Sequence, residues 1–169
     1  MTTPINKGIA VICASMLGAF PAFATAAEKT SPPSIVGVWM IVSGTNTKDG
    51  VTKVGSYGAK PNGRVIYTAS GHYASIGTSD GLPAFKSGSR MTGTAEENKA
   101  IVQGSNSNFG RYTVAPDGKA VIYHVEGGTW TPWNGTDQKR ELVLNGDEMT
   151  QTITASYGGT SVLKYKRVK

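Results

Sequence analysis

Short runs of Val, Ile, Thr and Tyr, cut at close intervals by glycine-centred turns, confine this chain to an all-β fold. Lys60-Pro61-Asn62-Gly63 places proline and an Asn-Gly pair where a tight turn needs them. Ala69-Ser70-Gly71, Pro116-Asp117-Gly118 and Asn145-Gly146-Asp147 join neighbouring runs in the same way. Strands are expected at Val36–Ser43, Lys53–Tyr57, Arg64–Thr68, His72–Gly77, Gly110–Val114, Ala120–Glu126, Gln138–Leu144, Glu148–Ala155 and Ser161–Arg167. One helix interrupts them. Thr94 is its expected cap, Glu97 follows three residues later, and the helix runs to about Gln103 with Ile101 and Val102 as its apolar contact. Eight or nine short antiparallel strands must hide their edges. A closed barrel does so completely, and a two-sheet sandwich does so in part. The order of the elements does not separate the two.

The N-terminus reads as an address. Lys7 supplies a positive start, Gly8 to Phe20 is apolar, and Ala22-Phe23-Ala24 is a small-x-small cleavage signal. The apolar run falls short of the roughly 20 residues that span a bilayer, so stable membrane insertion is not expected. The expected division is a signal peptide over 1–26, a loose Pro-containing leader over 27–34, and one domain over 35–169. Export to the periplasm or the extracellular space follows. Cys13, the single cysteine, lies inside the signal, which excludes a disulfide-stapled fold, a Cys-zinc site and a Cys nucleophile. The net charge of +6 is spread singly, apart from Lys164, Lys166, Arg167 and Lys169 near the end. It forms no aromatic-basic platform, so a nucleic-acid partner is not expected.

The segment from Phe109 to Thr150, with GVWMIVS before it and YGAKPNGRVIYTASGHY between, resembles the bacterial and fungal lipocalin-like domain family. The resemblance reaches from about Ile35 to Arg167. It implies an antiparallel, calycin-type closed barrel of eight or nine strands with an internal pocket. Gly37-Val38-Trp39 is similar to the lipocalin G-x-W signature, in which the Trp plugs one end of the barrel. The resemblance implies a basic residue from a late strand covering that Trp, with Arg140 and Arg167 as candidates.

Several residues are candidates for a ligand site. Tyr67 and Tyr73 flank a hairpin, and they suit either stacking on a flat ligand or holding strand register. Tyr112 belongs to the same aromatic set. Trp130 and Trp133 bracket Pro132 in a connection between strands, where they either lid an opening or pack on its rim. His124 and Glu126 lie two residues apart on one strand and share a face. Turned inward, they need a partner, and Arg140 on the next strand is the candidate. Turned outward, they are a solvated pair. No spacing of His72 or His124 suggests a metal, and no cofactor motif is present. The expected function is carriage of a small, largely hydrophobic molecule in the barrel. The alternatives are an isomerase or cyclase using His124 and Glu126 as acid and base, and a ligand-free structural barrel.

The export reading predicts a trimmed product. Intact mass of the exported protein should show a new N-terminus at Thr25, Ala27 or Glu28. A protein that still starts at Met1 in the cytoplasm contradicts it.

Overall fold

The computed structural model describes Met1, residues 34–155 and residues 158–169. The expected signal peptide (Met1 apart) and all of the leader except Ser34 lie outside the described residues. The elements are β1 (Gly37–Lys48), β2 (Val51–Val54), β3 (Asn62–Tyr67), β4 (His72–Thr78), α1 (Ala95–Gly104), β5 (Ser105–Val114), β6 (Ala120–Gly128), a 3-10 turn (Thr131–Trp133), β7 (Asp137–Asn145), β8 (Glu148–Thr154) and β9 (Thr160–Arg167). From β3 onward each strand pairs antiparallel with its successor, and β1 pairs with both β3 and β9. The result is a closed eight-stranded barrel, with β2 hydrogen-bonded only to the far half of β1.

β3 begins at Asn62, so the Asn62-Gly63 pair read as part of a turn lies in the strand, and two larger differences from the sequence reading each have a physical reason. β1 continues past Ser43 to Lys48 and turns back at Asp49-Gly50, both of which have positive φ (49° and 75°). That is the twist a two-residue hairpin demands, so the second strand is Val51–Val54 rather than Lys53–Tyr57. β5 starts at Ser105 rather than Gly110, because its polar first half is laddered to β4 from Thr78↔Ser105 to His72↔Arg111. The helix forms where expected. Thr94 Oγ1 accepts from Glu97 N at 3.2 Å, and Glu97 Oε2 accepts from Thr94 N at 2.9 Å. Lys86 N donates to the other oxygen, and these backbone donors hold the Glu97 carboxyl below the usual range.

The inward set comprises Trp39, Ile41, Val65, Tyr67, Tyr73, Val121, Tyr123, Val125, Leu142, Met149 and Tyr165, all buried. One end of the barrel is shut by Trp39, whose side chain is fully enclosed. Its indole N–H donates to Ile35 O at 2.8 Å. The Arg167 guanidinium lies 4.1 Å from the centre of its ring, a cation–π contact. Of the two candidates for this role the structure selects Arg167. Its Nη1 and Nη2 donate to Val36 O and Ser34 O at 2.7 and 2.8 Å, and its Nε pairs with Asp147 at 3.4 Å. Arg167 thus fastens the incoming chain across the plug. Gly37 is required here twice over. Its φ is +135°, and a Cβ would meet Arg167 Nη1 at 2.7 Å.

Trp39→Ala empties a fully enclosed site and should cost about 3–5 kcal/mol of unfolding free energy. Denaturant titration measures this directly. A loss below about 1 kcal/mol, the range of surface substitutions, would mean that the plug contributes little to closure.

Candidate functional site

Along β7 the side chains of Gln138, Arg140, Leu142 and Leu144 alternate inward against Lys139, Glu141 and Val143 outward. Arg140 is therefore carried into the barrel beside Leu142 and Leu144, and only 4% of it is exposed. A guanidinium is charged at any physiological pH. Its surroundings are aromatic. It lies 4.1 Å from the centre of the Tyr123 ring and 5.9 Å from that of Trp133. Its Nη1 donates a long bond of 3.5 Å to Gln151 Oε1, and its buried Nε has no partner. Among the described residues no carboxylate pairs with it.

A hydroxyl network surrounds this cation. Gln151, wholly enclosed, donates through Nε2 to Tyr67 OH at 2.6 Å and to Tyr123 OH at 3.4 Å, and the two tyrosine hydroxyls are bonded to each other. Tyr73 packs its ring 3.9 Å from that of Tyr123, yet its hydroxyl is buried without a partner. Burial raises the phenols of Tyr57, Tyr67, Tyr73 and Tyr165 above the ordinary tyrosine range. They stay neutral donors at physiological pH. Burial opposes the charge on Arg140 as well, but the oxygens of Tyr123, Tyr165, Tyr67 and Tyr73 outweigh it and favour the cation.

Above Arg140, toward the end opposite Trp39, the barrel holds a cavity of about 330 Å³, within the range of small-ligand pockets. Trp130, Trp133, Ile101, Ile153 and Leu163 supply apolar wall. Asn108, Tyr57, Tyr165 and Arg140 supply polar groups. Asn108 Oδ1 is a second buried atom without a partner. The double-Trp segment is pinned rather than loose. Gly135 N donates to Val125 O, Val125 N to Thr136 O, and Thr136 N to Trp133 O, at 2.8, 3.0 and 3.0 Å.

The expected site residues fall into three groups. Arg140, Trp130 and Trp133 meet at the cavity. Tyr67 and Tyr73 lie inside the barrel but on the plugged side of Arg140. Tyr112 is half-buried there too, its hydroxyl donating to Thr68 O at 2.8 Å and its ring edge-on to Tyr67. His124 and Glu126 stand outside this arrangement. The inward side of β6 is taken by Val121, Tyr123 and Val125, so both point away from the cavity. His124 Nδ1 lies 2.7 Å from Asp137 and its Nε2 lies 3.1 Å from Thr113 Oγ1. Glu126 is exposed. The expected contact between Glu126 and Arg140 is not made, because the two occupy opposite faces of the wall. Tyr57, Asn108, Gln151 and Tyr165 were not anticipated. For Gln151 the signal was present, since it alternates inward between Met149 and Ile153.

Comparison with known proteins agrees with this architecture. A family model described as a lipocalin-like domain matches residues 36–164. The chain belongs to the lipocalin-like domain family. Membership supports a ligand-binding barrel in general. A solved structure of a redesigned β-barrel is similar at 13% identity with a TM-score of 0.43, over 79% of this chain and 91% of that one. No curated protein sequence matches. Among the described residues no helix is long and apolar enough to cross a membrane, and no group of His, Cys, Asp and Glu is placed to hold a metal.

The raised phenols give a signed pH dependence. The unfolded chain releases tyrosine protons near pH 10, whereas the folded barrel retains them. The stability they contribute is complete below about pH 10 and is lost as pH rises above it. Thermal melts should be level into mildly alkaline buffer and fall beyond about pH 10, with tyrosinate absorbance appearing together with unfolding. Smooth ionisation of all the tyrosines near pH 10 in a folded protein contradicts the buried network.

Proposed function

We propose that this protein is exported and carries or sequesters a small, largely hydrophobic molecule in the cavity beneath Trp130 and Trp133. The observation that carries the reading is the cavity itself. It is a partly open pocket whose walls combine indole and aliphatic side chains with convergent polar groups, the composition by which small-molecule sites gain both affinity and orientation. Apolar burial contributes about 25 cal/mol per Å², and Arg140 and Asn108 set orientation. Export rests on the N-terminal pattern of Lys7, the apolar run and Ala22-Phe23-Ala24. The family supports ligand binding in general terms. The reading with His124 and Glu126 as acid and base draws no support from side chains that face away from the cavity.

The three tryptophans separate by position, because Trp39 is sealed at the plugged end. Titration with N-phenyl-1-naphthylamine, a neutral apolar dye, should quench indole emission through Trp130 and Trp133. Trp133→Ala should weaken binding about tenfold or more with the circular dichroism spectrum unchanged. Unaltered affinity in a folded variant would place the site elsewhere.

A further inference from the structure

Among the described residues the charge on Arg140 has no counterpart inside the barrel. Asp137, Glu141, Glu126 and Glu148 are exposed on the strands, and the only buried carboxylate among the described residues, Glu97, is occupied by the backbone N–H groups of Lys86 and Thr94. A desolvated cation that lacks an anion is costly, and folding alone gives no reason to retain one in place of an apolar residue. Among the described residues, Nη1 is the guanidinium nitrogen that donates a hydrogen bond, to Gln151. The buried Nε has no partner, and Nη2 makes no hydrogen bond among the described residues. Nε and Nη2 share one edge of the planar group. A guanidinium whose N–H groups are only partly engaged is a strong partner for a carboxylate.

The remainder of the cavity fixes the rest of the ligand. Among the described residues Arg140 is the only basic one on its wall, so a singly charged head balances the site and a dianion exceeds it. Tyr57 and Tyr165 add neutral hydroxyl groups, since their phenols are held protonated. Away from Arg140 the wall combines Trp130, Trp133, Ile101 and Leu163 with neutral polar side chains such as Ser105, Asn106 and Asn108, so it accepts a chain or ring but offers no second charge. Resting on the reading of this cavity as a ligand site, we infer that its ligand is a small monocarboxylic acid, with the carboxylate paired to the Arg140 guanidinium and the apolar body against the two tryptophans. The acid supplies the missing counter-charge, and the tryptophans exclude water from the pair.

Matched probes test this in the purified full chain: decanoate against decanol, and 2-naphthoate against 2-naphthalenemethanol, titrated near pH 7 by calorimetry. At least one acid should bind about tenfold to a hundredfold more tightly than its alcohol, the ordinary value of a charge-assisted hydrogen-bonded pair. Arg140→Gln should erase that preference. Arg140→Lys, which keeps the charge and loses the fork, should restore part of it. Because the acid–alcohol comparison is made in the unaltered protein, it holds even if a variant fails to fold. Alcohols that bind as well as their acids overturn the acid inference and leave the hydrophobic carrier standing. An acid preference that survives in folded Arg140→Gln overturns it too. Failure of all four probes overturns both readings.

Discussion

Closure of β1 against β9 is the constraint from which the rest follows. The ladder runs from Trp39↔Arg167 to Thr47↔Thr160, and it joins the first strand of the domain to the last. Once it forms, no long barrel strand is left with an open edge, and the inside becomes a compartment of limited size. The same pairing sets Arg167 over Trp39, so the plug and the closure are one structure. Arg167 reaches on to the backbone at Ser34 and Val36, which ties the chain entering the barrel to the strand that completes it. A contact of this kind joins positions more than 130 residues apart in sequence and forms late in any folding order governed by loop closure.

Inside that compartment two arginines show opposite solutions to the same problem. Arg167 covers an indole but keeps a carboxylate, Asp147, and two carbonyls as partners at the rim. Arg140 is sealed among aromatic rings and neutral hydroxyls, with one long bond to Gln151. The first arrangement stabilises a fold. The second holds a cation ready for an anion that the described residues do not supply. The Tyr67–Tyr123–Gln151 network lies beneath it, and Gln151 Oε1 accepts from Arg140. On the cavity side Trp133 approaches the guanidinium.

The sequence was most legible where backbone chemistry decides the outcome. The hairpin residues at Ala69-Ser70-Gly71 and Asn145-Gly146-Asp147, the Thr94–Glu97 capping box and the Gly37-Val38-Trp39 plug all read through to the structure. The Asp49-Gly50 turn was as clear a signal, but the residues before it, Gly44-Thr45-Asn46-Thr47, carry no apolar alternation. That strand projects past the core and has little to bury. The start of β5 was hidden for a related reason. Ser105-Asn106-Ser107-Asn108 presents polar side chains to a cavity rather than apolar ones to a core, and period-two reasoning assumes the opposite. β6 was ambiguous because Val121, Tyr123 and Val125 alternate with Ile122 on the other face. Only the neighbouring strands decide which side is inward, and they send His124 and Glu126 out. Arg140 was legible as an odd charge among Leu142 and Leu144, but its isolation was not, since that depends on the positions of every carboxylate in the barrel.

The central claim is that Arg140 is retained for a ligand and not for the fold. The most direct test is the stability of the ligand-free Arg140→Met protein, which replaces the buried cation by an apolar side chain of similar reach. Denaturant unfolding should show equal or greater stability than the parent, as occurs when a buried charge is exchanged for a well-packed apolar group, while acid binding disappears. A loss of about 3 kcal/mol or more, the size expected when a needed buried partner is removed, would make Arg140 part of the scaffold and contradict the account.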